Sequence, residues 1–355
     1  MRIAIDARAY FQRTGIARYT RGLVQAVVES SPRDRFLLLI SDRHQPRDVP
    51  FRDDRIEVRV SRAVWLEGRS ERAQLGREVR SWAADLFHSI FPPLVVRDVP
   101  SLVTVFDLTP LSHPHLHQPA VVAACRAAMP RAIAQASRVV AISHATADEV
   151  KRRFPMAASR TSVAGVGLPA PFLDAVPASG RRSGVLFVGT IEPRKNVPLV
   201  VETARRLRAR GYRGPVTIVG KPGWGGFDIT QAISDIKGVR YHGYVDDRVL
   251  RALYRRAALF LYPSAVEGFG LPVLEAMSQG ALPLISADAA LREVVRDPAL
   301  VVDVTDPDAV AGSILRWTSN RVAREVKTER LARRARGYTW QRAAGHITRL
   351  YRQVA

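Results

Sequence analysis

Short apolar, β-rich runs alternate with longer helix-patterned stretches along this whole chain, and that rhythm narrows the choice of fold more than any single motif. It is the mark of parallel sheets assembled from βαβ units. The first half predicts strands over residues 2–7, 35–40, 56–60, 86–89, 102–106, 138–142 and 161–166. The second half repeats the pattern over 185–188, 216–219, 239–241, 259–262, 282–286 and 300–302. Between them, residues 168–180 are rich in Pro, Gly and small side chains, the composition of an interdomain linker. A chain of 355 residues is long for one core, so two α/β domains are expected, 1–170 and 171–339, followed by an amphipathic helix over 340–355.

A hydrophobic share of 47% with interspersed charge describes a globular protein. Cys125 is the only cysteine, so an intramolecular disulfide is impossible and a reducing compartment fits. It lies in the helix-like run Ala123-Ala124-Cys125-Arg126-Ala127-Ala128 without a neighbouring histidine, and reads as a small packed side chain. The start, Met1-Arg2-Ile3-Ala4-Ile5-Asp6, puts an acid where a signal peptide needs an apolar core, and no run approaches eighteen apolar residues. A cytoplasmic protein is the expectation.

Charge is the extreme number: 54 Lys and Arg against 33 Asp and Glu, a formal net charge of +21. The basic residues are dispersed, as in Arg205, Arg206, Arg208 and Arg210, or Arg330, Arg333, Arg334 and Arg336. Most such runs have helical spacing and acidic neighbours, so solvated helix faces account for them. The total still suits peripheral attachment to an anionic membrane surface. Nucleic acid is not an expected partner, because no recognition-helix, zinc-finger or aromatic-stacking motif accompanies the charge.

The densest chemistry lies in Glu267-Gly268-Phe269-Gly270-Leu271-Pro272-Val273-Leu274-Glu275-Ala276-Met277. Pro272 suits the first helical position, where its missing N–H costs nothing. Gly268 and Gly270 permit backbone conformations closed to other residues and let a ligand approach the main chain. Free N–H groups at such a helix start favour phosphate. Glu275, about one turn in, would repel phosphate but can accept hydrogen bonds from sugar hydroxyls. The segment therefore predicts a site for a molecule carrying both phosphate and sugar.

This segment resembles the E-x7-E signature of the retaining glycosyltransferases of family 4, which have the two-domain GT-B fold. Val185-Leu186-Phe187-Val188-Gly189-Thr190-Ile191-Glu192-Pro193-Arg194-Lys195-Asn196 is similar to the family's strand and phosphate-binding loop, and Val219-Gly220-Lys221-Pro222-Gly223-Trp224, Tyr241-His242-Gly243-Tyr244-Val245 and Leu261-Tyr262-Pro263-Ser264 follow in family order. The amino-terminal half matches more loosely, through Gly15-Ile16-Ala17-Arg18-Tyr19-Thr20 and Ser143. The resemblance implies two Rossmann-like domains facing a central cleft, with the last helix crossing back onto the first domain.

It also implies roles. Lys195 matches the family's phosphate-binding lysine. Many relatives carry an arginine directly after the loop glycine Gly189; here Thr190 stands there, and the missing charge is assigned to Arg194. Glu275 matches the glutamate that accepts from the ribose, and Glu267 the one facing the transferred sugar, beside the N–H groups of Gly268, Phe269 and Gly270 and the helix start at Leu271. Tyr244 and Val245 stand where the base rests, or simply pack a strand end. Gly15 would let the first domain's backbone approach the diphosphate. Phe106 replaces a histidine that many relatives use to bind the sugar. Asp107 either contacts the acceptor or caps the following turn. His113, His115 and His117 read as an acceptor-side loop rather than a metal site; the family as a class needs no bound metal, so the resemblance implies neither metal nor cofactor.

The expected reaction is retaining transfer of a hexose from a nucleotide diphosphate sugar to a glycan or polyprenyl-linked acceptor. The loop Gly189–Asn196 is similar to those of bacterial mannosyltransferases of surface polysaccharide synthesis, which favours GDP-mannose, with a UDP-hexose as the alternative. A GT-B epimerase or phosphorylase, and a non-catalytic basic binding protein, are the competing classes.

Overall fold

The computed structural model describes residues 1–50, 53–61, 69–91, 93–174 and 182–355. The chain divides into two units by its internal packing: Met1–Pro114, Pro119–Gly167 and Thr339–Ala355 form one, and His115–Gln118 with Leu168–Tyr338 form the other. The first carries a seven-stranded sheet of β1 (Arg2–Asp6), β2 (Arg35–Ser41), β3 (Ile56–Ser61), β4 (Leu86–Ser89), β5 (Ser101–Val105), β6 (Arg138–Ala141) and β7 (Thr161–Val163). Their spatial order is β3-β2-β1-β4-β5-β6-β7, and every pair is parallel. The second carries β8 (Val185–Val188), β9 (Val216–Val219), β10 (Val239–Tyr241), β11 (Leu259–Tyr262) and β12 (Leu282–Ile285), in the all-parallel order β10-β9-β8-β11-β12. Continuous apolar runs are what a sheet with helices on both faces demands. Ile3, Leu37, Phe87 and Val103 in the first unit, and Phe187, Ile218, Phe260 and Leu284 in the second, are fully buried.

Helix Trp340–Val354 packs within the first unit. Its Trp340 ring fills space that only glycine leaves open: a Cβ on Gly22 would stand 2.1 Å from the ring, and one on Gly167 2.5 Å. The Tyr351 hydroxyl lies 2.7 Å from Nδ1 of His88, whose Nε2 is 2.8 Å from the Thr104 hydroxyl. Burial pushes the His88 pKa down to about 3, so this tie stays uncharged at neutral pH.

Two sequence expectations need correction. Residues 300–302 do not form a strand: Pro298–Leu300 is a single 3-10 turn capped by Asp297, and Val301 makes only an isolated bridge to Ile285. Strand 161–166 stops at Val163, before Gly165 takes a left-handed φ of 78°. The expected linker begins at Leu168, where the chain passes from the first unit to the second. The N–H of Leu168 donates to the Tyr338 carbonyl at 2.9 Å, and the Phe172 ring is buried against Tyr254. Residues 175–180 of that stretch lie outside the described residues.

Candidate functional site

In an open parallel sheet, ligands bind beyond the carboxyl ends of the strands, where the order of connection reverses. In the second unit the chain runs from β8 through β9 to β10 on one side, then returns to place β11 and β12 on the other. The reversal therefore lies between β8 and β11. The turn Pro193–Lys195 follows β8, and the loop 263–270 follows β11, so the topology delivers the two motifs to adjoining positions. A backbone bond fastens them: the Ala265 N–H donates to the Arg194 carbonyl at 2.8 Å.

Glycines let these loops close up. The N–H of Gly189 donates to the Val219 carbonyl and that of Gly220 to the Gly243 carbonyl. Gly220 has φ 154°, and a Cβ there would fall 1.8 Å from the Gly189 oxygen. Gly270 takes φ 101° at the cap of helix Leu271–Ser278, and a Cβ there would come within 2.5 Å of Leu291. The helix begins at Leu271, so Pro272 occupies its second position rather than the first.

Arg194, Lys195 and Glu267 come together as one charged cluster. Lys195 Nζ donates to Glu267 Oε1 and, at 2.5 Å, to the Tyr262 hydroxyl. Arg194 splits its fork, with Nη1 2.7 Å from Glu267 Oε2 and Nη2 2.8 Å from Glu192 Oε1. Glu267 also accepts from Ser264 at 2.6 Å and Tyr262 at 3.0 Å, while its N–H donates to Asp288 at 3.3 Å.

Electrostatics divides the carboxyls. Burial alone would raise Glu267, but the Arg194 and Lys195 charges and the Lys195 hydrogen bond outweigh it and hold its pKa at about 2. Burial raises Glu192 despite its attraction to the same cations, with Glu267 adding repulsion. Asp288 is pushed up to about 6, first by burial, while its hydrogen bond from the Leu291 N–H pulls the other way. Burial and the neighbouring Arg194 lower Lys195, against the pull of Glu267.

The other expected residues are placed as follows. Glu275 is 1% exposed and accepts from the Tyr254 hydroxyl at 3.1 Å. Phe269 turns its ring inward against Tyr338 and is buried. Thr190 and Val245 are half-buried, and Tyr244 is 52% exposed. In the first unit Gly15 opens helix Gly15–Ser30, capped by Thr14. Asp107 accepts from the N–H and hydroxyl of Thr109, at 2.9 and 2.6 Å, and so caps that turn. Burial, aided by Asp107, raises the Cys125 thiol to about 11, which suits a packed side chain. Among the described residues no group of three His, Cys, Asp or Glu could hold a metal ion, and no helix is long and apolar enough to cross a membrane.

Sequence reasoning passed over Glu192, Tyr262, Ser264 and Asp288. The first three stand inside the motifs themselves and were legible as polar groups at strand ends. Asp288 lies 21 residues beyond Glu267 and carries no local signal.

Two family models match in tandem: Glycosyltransferase Family 4 over residues 13–168 and Glycosyl transferases group 1 over residues 174–337. O-antigen chain mannosyltransferase B of Escherichia coli is 29% identical over 268 residues, 71% of this chain and 70% of that protein. Phosphatidyl-myo-inositol mannosyltransferase of Mycolicibacterium smegmatis is 31% identical over 192 residues, 52% of this chain; the match spans 48% of that relative. Sucrose-phosphate synthase from Thermosynechococcus elongatus superposes with a TM-score of 0.76 over 99% of this chain and 98% of its own, at 19% identity, a likeness of fold alone. Because the two models follow one another and between them take in nearly the whole sequence, the chain belongs to the glycosyltransferases of the GT-B fold, with a family 4 amino-terminal half and a group 1 carboxyl-terminal half, and is a hexosyltransferase.

Proposed function

We propose that this hexosyltransferase moves mannose from GDP-mannose, with retention at the anomeric carbon, to a hydroxyl of a glycan or polyprenyl-linked acceptor. The observation that carries the donor class is the adjacent pair Arg194 and Lys195, gathered at the switch point beyond β8. Such a pair suits a diphosphate, since arginine forks to two oxygens while lysine acts as a compact charge. Mannose as the sugar leans on the relatives, named as an O-antigen chain mannosyltransferase and a phosphatidyl-myo-inositol mannosyltransferase.

As GDP departs, negative charge grows on its diphosphate. Lys195, Arg194 and the N–H groups at the start of helix Leu271–Ser278 stabilise that charge where it appears, a contribution of about 3 kcal/mol per well-placed donor. Glu275 accepts from the ribose hydroxyls, and the exposed Tyr244 ring offers a surface to the base. Glu267, held near 2 by two cations, is a poor base and a poor nucleophile. The acceptor proton is therefore assigned to a phosphate oxygen of the donor, with attack from the face the nucleotide leaves. The +21 charge suits an acceptor presented at an anionic membrane face. Retention of the protein by anionic liposomes at low salt tests that point.

Thermal-shift measurements with GDP, UDP, ADP and dTDP, followed by transfer assays with the matching sugars, test the donor. Stabilisation by GDP and turnover of GDP-mannose are expected. Stabilisation by UDP alone would move the donor to a UDP-hexose, and sugar interconversion without an acceptor would overturn transfer itself.

A further inference from the structure

The buried cluster beyond β8 holds as many carboxylates as cations. Arg194 and Lys195 face Glu192 and Glu267, and the two carboxylates share one guanidinium. Glu192 is 8% exposed and cannot swing into bulk water without unpacking the turn that begins at Pro193. A diphosphate entering this cluster would add negative charge to a group already balanced. Like charges at this range disfavour one another's ionised forms, and low dielectric strengthens the effect.

We propose that Glu192 is a positioning residue which holds one prong of the Arg194 fork and takes up a proton from solvent when the donor diphosphate binds. The inference rests on Arg194 and Lys195 receiving the diphosphate. The two carboxylates are not equivalent candidates. Glu267 accepts from Lys195, Arg194, Ser264 and Tyr262, all of which favour its charged form. Glu192 has the Arg194 prong, and burial already displaces its titration upward. The groups facing it are Arg194 and Lys195 from its own turn, with Glu267 and Tyr262 from β11 and its loop. Asp288, which accepts from the Glu267 N–H, is a second carboxyl able to take the proton. A protonated Glu192 keeps a carbonyl oxygen for Arg194, so the fork stays aligned while the competing charge disappears.

Calorimetric titration of GDP and UDP into the full chain, at neutral pH in two buffers of different ionisation enthalpy, reads the proton directly. The wild-type protein is expected to take up a fraction of a proton approaching one, and its affinity to fall by up to about tenfold per pH unit over the alkaline side of the transition. Glu192→Gln should bind more tightly at neutral pH, show no such uptake, and converge with the wild type in acid. Glu192→Ala should instead lower kcat with little change in uptake relative to Glu192→Gln, because the fork loses its anchor. Equal uptake in the wild type and Glu192→Gln would overturn the proposal; loss of uptake in Asp288→Asn alone would transfer the role to Asp288 and overturn it equally. If neither nucleotide binds the wild-type protein, the diphosphate reading fails first, and this inference with it.

Discussion

Lys195 and Glu267, 72 residues apart in sequence, form a buried ion pair in which the Tyr262 hydroxyl bonds to both. One partner ends the turn after β8 and the other lies in the loop after β11, so the pair exists only because those strands are neighbours. Removing one member of a buried pair leaves the other uncompensated, whereas removing both together is far milder.

Lys195→Ala should therefore cut transfer by orders of magnitude and also lower stability, with Arg194 limiting the loss to about 1–3 kcal/mol. Lys195→Met combined with Glu267→Gln should recover much of the stability and none of the activity. Urea unfolding and a transfer assay on the same preparations separate the two effects. Near-normal transfer in Lys195→Ala would remove this residue from the catalytic site.

Glu275→Ala should impair transfer chiefly through donor binding, raising the KM for the nucleotide sugar by roughly ten- to a hundredfold if ribose hydroxyl bonds of about 1.5–3 kcal/mol are lost. An unchanged KM with a reduced kcat would place Glu275 elsewhere in the reaction.

Acid and near-neutral stability should respond oppositely to two carboxyls. Glu267 titrates below its unfolded value, so its contribution is present above about pH 4.5 and is lost as pH falls towards about 2. Asp288 titrates above its unfolded value of 3.8, at about 6, so its contribution is complete below pH 3.8 and is lost as pH rises through about 6. Unfolding free energies measured from pH 3 to 7 should show Asp288→Asn flattening the upper window and Glu267→Gln the lower. The same profile in all three proteins would refute both assignments.

Gly220→Ala should cost more than about 2 kcal/mol, since its φ of 154° and the Gly189 oxygen 1.8 Å from a new Cβ leave no room. Gly345→Ala, inside helix Trp340–Val354 with nothing within 4 Å of the added carbon, should instead stabilise by about 0.5–1 kcal/mol. Thermal denaturation compares them directly, and equal effects would mean the glycine contacts are misassigned.

Much of the architecture was readable locally. Strands such as β8 and β11 are short apolar runs, and helix Leu271–Ser278 announces itself through Gly270 and Pro272, because hydrophobic period and backbone permissiveness are properties of neighbouring residues. The same local reading overextended residues 300–302 into a strand: their apolar side chains suit a sheet, but Pro298 and the Asp297 cap bend the backbone before a ladder can form.

The site divides along the same line. Arg194, Lys195 and Glu267 are visible as charged residues in the turns after strands, and Glu275 in the helix that follows Gly270; their chemical types alone point to phosphate and sugar. Which carboxylate each cation holds, why Glu267 stays ionised while Glu192 and Asp288 are pushed towards protonation, and that Asp288 belongs to the site at all depend on strand order. Charge interactions act through space and deepen as water is excluded, so their outcome is set only when β8, β11 and β12 come to lie side by side.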